Sequence, residues 1–215
     1  MPLTTDEIRF LIDRNTELKS IRALYEPLWE EIAEFIFPRR MGIGYKPTPG
    51  QKQTSKQYDS TAEIKLNDLA ATMHGTLTPS WSVWSNFKLR DDRLNKLKEV
   101  MDWLEACTER MTLARRQSNF TSQIHEAYLD LAGFGQACIF VDERPLLYPG
   151  FNGLKYDTLP NSQYCTSEND EGMVDTLFRD FELPAHSAIR KWGSKNLSEK
   201  INKEVINWII VRIHS

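Results

Sequence analysis

The chain has 215 residues, 40% hydrophobic and 27% charged, with a formal net charge of −3 and a pI of about 5.9. Such a composition belongs to a folded chain of one or two compact units and excludes an intrinsically disordered chain. The acidic balance also argues against a strongly basic nucleic-acid binder, although a channel through which DNA slides need not grip phosphate.

Residues 4–37 are predicted to form one long helix or two joined ones. Thr4 or Thr5 can cap its start, with Asp6 and Glu7 favourably placed in the first turn. Ile8, Leu11, Ile12, Leu18, Ile21 and Leu24 give a broken helical period that predicts the buried face. Pro27 should kink or restart the helix after Tyr25-Glu26. Leu28, Trp29, Ile32, Ala33 and Ile36 then continue an apolar face, and Pro38 ends it before Arg39-Arg40. Residues 41–57, rich in Gly, Pro, Lys and Gln, read as a long mobile loop on the periphery, ordered when a partner arrives.

Ser60-Thr61-Ala62-Glu63 has the spacing of a capping box. The helix it opens should bury Leu66, Leu69, Ala70, Met73 and Leu77, and stop around Gly75 and Pro79. Ser80 to Leu89 suggests a short extended segment carrying Trp81 and Trp84. A second amphipathic helix is predicted over 93–116, with Leu97, Val100, Met101, Leu104 and Met111 inward. Asn119 can cap a third, which carries Ile124, Ala127, Tyr128 and Leu131 on one face and ends at Gly133 and Gly135.

From there the period falls from helical to alternating. Ala137 to Val141 reads as a central strand, 146–159 as a hairpin turning near Pro149-Gly150 or Asn152-Gly153, and Tyr164–Thr166 with Val174–Phe181 as two strands about a polar turn. A short helix from Leu183-Pro184 to Trp192, a helical turn at Ser198–Lys203 and a last strand at Val205–Ile213 complete the pattern. The fold expected is therefore α+β, with N-terminal amphipathic helices packed on a small, mostly antiparallel C-terminal sheet. The change of period divides it into a helical portion, 1–135, and a β-rich portion, 136–215, of one continuous unit. The strand close to Ser215 suggests a chain cut short relative to a longer ancestor.

Chemistry is harder to find. The three cysteines, Cys107, Cys138 and Cys165, fit no CxxC site and read as reduced thiols. Neither HExxH nor any phosphate-binding glycine motif is present, so no metal and no cofactor is expected. The cluster Glu168, Asp170, Glu171 departs from the order of a calcium loop and reads as a solvated turn. Arg39, Arg40, Arg115 and Arg116 could contact phosphate, although helix-end cations need no partner. Glu63, Asp68 and His74 are the least unsuitable catalytic candidates, but Asp68 and His74 do not share a helix face. The N-terminus lacks the pattern of a signal peptide, and no apolar run is long enough for a membrane helix.

A series of short motifs is more informative together than singly. It comprises Trp29-Glu30-Glu31-Ile32-Ala33-Glu34-Phe35-Ile36 with Pro38-Arg39, then Tyr58-Asp59-Ser60-Thr61-Ala62. Leu69-Ala70-Ala71, Gly75, Leu77-Thr78-Pro79 and Trp84 follow, then Ser118-Asn119-Phe120 and Leu131-Ala132-Gly133-Phe134-Gly135. Last come Glu171-Gly172-Met173-Val174-Asp175-Thr176 and Phe178-Arg179. In this order the series resembles the head-to-tail connector, or portal protein, of short-tailed, podovirus-type bacteriophages, from about residue 7 to 212.

That resemblance implies a structural, non-enzymatic subunit of a homo-oligomeric ring of about twelve copies. Such a ring sits at the head–tail vertex of the virion after assembly in the host cytoplasm. It nucleates the capsid with scaffolding proteins, docks the terminase, passes double-stranded DNA during packaging and ejection, and holds the tail. The resemblance places this chain in the wing portion, without the stem, clip and crown of longer family members. Trp29, Trp81, Trp84 and Phe120 are then the candidate packing or subunit-interface anchors, with Trp84 leaning to the subunit's own core and Trp81 undecided. The competing reading is a phage adaptor or binding module, derived from a portal wing, that forms no ring.

Overall fold

The computed structural model describes residues 4–45, 48, 50, 58–144, 150–193 and 210–214. The order of elements is α+β as expected: six helices and five strands among the described residues, the strands in two antiparallel sheets. Packing sorts the chain into two compact units, Met1–Glu26 with Ser162–Ser215, and Pro27–Asn161. The first helix therefore belongs with the C-terminal strands, a grouping that the change of period at 135 does not convey.

In the first unit, helix α1 spans Thr5–Arg22. Thr4 and Glu7 form a capping box: the Thr4 amide donates to Glu7 Oε2 at 2.7 Å, and the Glu7 amide donates to Thr4 Oγ1 at 3.4 Å. Strands β3 (Tyr164–Glu168), β4 (Val174–Pro184) and β5 (Ile210–His214) form a sheet in that order. Strands β1 and β2 belong to the second unit. The β3–β4 turn is set by Asn169, whose Oδ1 accepts from the amides of Glu171 and Met173, and by Gly172 at φ +73°. Helix α6, Ala185–Trp192, follows β4, buries Ala185 and Ala188, and ends at Gly193 at φ +78°.

Helix α1 docks on β3 mainly through polar groups. Arg14 donates to Ser167 Oγ, Arg22 donates to the carbonyls of Ser162 and Tyr164, and Lys19 pairs with Asp180. Arg14, Leu18 and Arg22 recur every four residues and lie on one face. Of the apolar face predicted from the sequence, only Leu18 is buried. Ile8, Leu11, Ile12, Ile21 and Leu24 are exposed, and Asn15 is buried in their stead.

The second unit begins where Pro27 restarts the chain. Helix α2 spans Glu26–Phe35 with the proline in its first turn, where its missing N–H costs nothing. A 3-10 turn, Pro38–Arg40, follows. The next residues are tethered: Glu30 accepts from the amides of Gly42 and Ile43, and Ile43 is buried. Most of the predicted loop beyond lies outside the described residues.

Helix α3 is Thr61–Leu77, but Ser60 makes no capping bond and the predicted box does not form. Asp59 performs the task, its Oδ1 accepting from the Thr61 amide at 3.1 Å. Leu66 and Ala70 are buried, whereas Leu69 and Leu77 are exposed. Ser80–Leu89 runs without a strand ladder. Helix α4, Lys98–Arg116, follows a 3-10 turn at Leu94–Lys96. It buries Leu104 and leaves Met101 and Met111 exposed, as is Leu97 just before it, so most of the predicted core face is surface.

Helix α5, Phe120–Phe134, is the centre of this unit, and Gly135 at φ +76° closes it. Phe37, Leu66, Ala70, Tyr128 and Leu129 form the core. Gly133 lies within the helix, with Phe37 and Leu66 side chains 3.7–3.9 Å from where its Cβ would stand. Strands β1 (Cys138–Glu143) and β2 (Leu154–Leu159) pair antiparallel. The apolar run at 137–141 is thus one strand of a two-stranded ribbon rather than a central strand, with Phe140 and Val141 exposed. Its partner is β2, and residues 145–149, where one predicted turn begins, lie outside the described residues.

Candidate interaction surface

The junction of α4 and α5 gathers the side chains that the sequence singled out. The Trp84 ring stacks on Phe120 with centroids 5.9 Å apart and an interplanar angle of 20°. Phe120 meets Tyr156 of β2 edge-on at 5.1 Å. The Arg115 guanidinium lies over the opposite partner in this row, 4.3 Å from the Trp84 centroid. Its Nη2 donates to Ser85 Oγ at 2.7 Å and to Thr112 Oγ1 at 3.4 Å, which fixes the plane of the cation. Burial pushes the Tyr156 hydroxyl pKa up, and the nearby Arg115 charge offsets part of that rise.

The row is held by hydrogen bonds to the β2 backbone. Asn119 donates to the Tyr156 carbonyl at 2.6 Å and accepts from the Tyr156 amide at 2.9 Å. One turn on, Gln123 Oε1 accepts from the Thr158 amide at 2.7 Å, and the Thr158 hydroxyl donates to the Gln123 carbonyl. Four helical residues rise about 6 Å and two strand residues about 6.8 Å, so the two spacings nearly match. The helix thereby supplies the partner that the outer edge of β2 lacks. Asn119 does stand at the N-cap position of α5, but its side chain is spent on β2. Ser118 Oγ takes the capping role by accepting from the Phe120 amide. The sequence reading missed this use of Asn119 and Gln123, whose i, i+4 spacing was its only trace.

Beside the row lies a shallow groove, lined among others by Ser80, Ser82, Trp84, Arg115, Arg116 and Thr121. Its wall is hydroxyl-rich and cationic, chemistry suited to carboxylate or phosphate oxygens.

The other candidates lie apart from this row. Arg40 donates from Nε and Nη2 to the two carboxylate oxygens of Asp130, at 2.7 and 2.8 Å, and Arg39 donates to Glu126 at 2.9 Å. Both arginines are thus engaged with α5 acids, a pairing that the sequence did not suggest. Asp130 is fully buried, and that burial raises its pKa to about 6 against the pull of Arg40. Trp81 is 76% exposed and its ring edge rests 4.0 Å from the Cβ position of Gly75. Trp29 is half-buried on α2. His74 and His125 lie with ring centroids 5.8 Å apart, and burial, with a smaller effect of His125, lowers the His74 pKa. Among the described residues no three His, Cys, Asp or Glu side chains are grouped to hold a metal ion, and no helix is long and apolar enough to cross a membrane.

Two curated proteins are similar to this chain over most of its length. The "Probable portal protein" of Bordetella phage BPP-1 is 25% identical over 197 residues, 91% of this chain and 34% of that protein. The "Portal protein" of Salmonella phage epsilon15 is 22% identical over 192 residues, 89% of this chain and again 34% of the relative. The chain thus spans about a third of the length of these relatives. A family model described as "Bacteriophage head to tail connecting protein" matches residues 10–208, and by that match the chain belongs to the family of bacteriophage head to tail connecting proteins.

Proposed function

We propose that this chain is a structural subunit, or the wing portion of one, of a phage portal ring through which double-stranded DNA is packaged and ejected. The observation that carries this reading is the family match across residues 10–208. The exposed apolar side chains of α1, among them Ile8, Phe10, Leu11 and Ile12, support it, because a ring subunit must keep apolar surface for its neighbours. The mechanism is one of geometry. Copies related by rotation make head-to-tail contacts, and these close only when the rotation divides the circle. Capsid and tail proteins, the scaffold and the terminase are the partners proposed for such a ring at the head–tail vertex, and no catalytic step is assigned to this chain.

A second reading, a phage adaptor that keeps portal-like surfaces without closing a ring, takes its support from coverage, since 34% of each relative's length is matched. Native mass spectrometry of the purified chain separates the two. A closed species of about a dozen copies supports the ring. A monomer that persists at high protein concentration overturns the ring reading for this chain and favours the adaptor.

A further inference from the structure

The groove beside Trp84 carries two cations with unequal surroundings. Arg115 is oriented by Trp84, Ser85 and Thr112. Arg116, on the same wall, has no acidic partner among the described residues. The first unit holds a surface of opposite character at the β3–β4 turn. Glu168, Asp170 and Glu171 are exposed there, and none has a cation beside it among the described residues. Met173 and Val174 follow, 57% and 58% exposed. The two hydrogen bonds to Asn169 Oδ1 and the positive φ of Gly172 hold the turn in one shape. A ligand fixed before it binds loses less conformational freedom on binding.

We infer that the Arg115–Arg116 groove of one copy receives the acidic β3–β4 turn of a second copy. The inference rests on the ring reading and deepens it. Carboxylates of the turn accept hydrogen bonds from the guanidinium groups and from the Ser80, Ser82 and Thr121 hydroxyls. Met173 supplies a polarizable side chain for the exposed Trp81 ring. A groove on one surface and a turn on another make the contact heterologous, as ring closure requires. Two arginines on a chain of net charge −3 favour this occupant over DNA, whose capture draws on many cations at once.

The test uses zero-length carbodiimide coupling, which joins a lysine amine to a carboxylate in direct contact. Arg116→Lys chains labelled with nitrogen-15 and unlabelled ones are mixed and coupled, and the products are mapped by mass spectrometry. Mixed-isotope products joining position 116 to Glu168, Asp170 or Glu171 are expected. They should fall to background when the turn carries Glu168→Gln, Asp170→Asn and Glu171→Gln together. Single-isotope products alone, or mixed products mapping elsewhere, overturn the inference. A duplex DNA that binds the unmodified chain and is released by Arg116→Ala, with no mixed products, reassigns the groove to phosphate. Native mass decides the ring separately: a closed ring without these products sinks the turn contact and leaves the ring standing.

Discussion

The Asn119 side chain closes a two-bond ring with the Tyr156 backbone, donating to its carbonyl at 2.6 Å and accepting from its amide at 2.9 Å. The same device recurs where Asn95 accepts from the Leu89 amide and donates to the Leu89 carbonyl, both at 2.9 Å. A carboxamide presents the same donor and acceptor as a peptide unit, so an asparagine can stand in for one residue of a neighbouring strand. Asn119→Ala leaves two backbone groups of β2 without partners, and a loss of about 2 kcal/mol is expected. Urea unfolding measures it, and native-state hydrogen exchange should show faster exchange at the Tyr156 amide. An unchanged amide there would mean that β2 is held by other contacts.

Asp130 gives stability a pH dependence whose sign follows from its raised pKa. The folded chain holds a proton on this carboxyl up to about pH 6, whereas the unfolded chain releases it near 3.8. The stabilisation due to the protonated form is complete below 3.8 and disappears as pH rises through 6. Its upper limit is about 3 kcal/mol, at 1.36 kcal/mol per pKa unit. The stability of the wild-type chain minus that of Asp130→Asn should therefore fall between about pH 4 and 6 and stay level above 7. A difference that rises across this window would show that the Arg40 pair outweighs burial.

Two glycines at the C-terminal end of α5, Gly133 within it and Gly135 just after it, should respond oppositely to alanine. At Gly133 a Cβ would meet Phe37 and Leu66 at ordinary contact distance, so Gly133→Ala should be neutral or stabilising by up to about 1 kcal/mol. A larger side chain, as in Gly133→Leu, should overpack the same spot and cost about 1–3 kcal/mol. Gly135 has open space but a φ of +76°, and Gly135→Ala should destabilise by about 1 kcal/mol. Thermal unfolding of the three variants tests the ordering.

The buried pair of Tyr128 Oη and Thr78 Oγ1, 3.1 Å apart, joins α5 to the end of α3. Tyr128→Phe should cost about 1 kcal/mol, because the Thr78 hydroxyl is then buried without its partner. Adding Thr78→Val should recover part of that loss, and a double-mutant cycle in urea reads the coupling. Additive effects would show that the hydroxyls do not act together.

Much of this architecture is legible in the sequence. Thr4 capping α1, Pro27 dividing two helices, the polar turn at 168–172 and Gly193 after α6 all rest on local rules, and each lies where those rules put it. Burial was less legible. Apolar periodicity in α1 and α4 predicted inward faces, yet Leu11, Ile12, Met101 and Met111 are exposed. A period records that a face is apolar and is silent on what covers it. Asn119 was read as a cap because capping is local, whereas its bond to Tyr156 spans 37 residues. The Trp84–Phe120 stack likewise joined two residues named separately, since sequence carries no distance between them.

An edge closed by main-chain pairing tolerates most substitutions, because almost every residue brings the same amide. At β2 the closure is written in the side chains of Asn119 and Gln123. Two codons therefore govern whether the β1–β2 ribbon stays committed to its own helix or offers an open edge to a strand from another chain. Along a lineage, that choice can be made and reversed by point mutation, without altering the length or register of either strand.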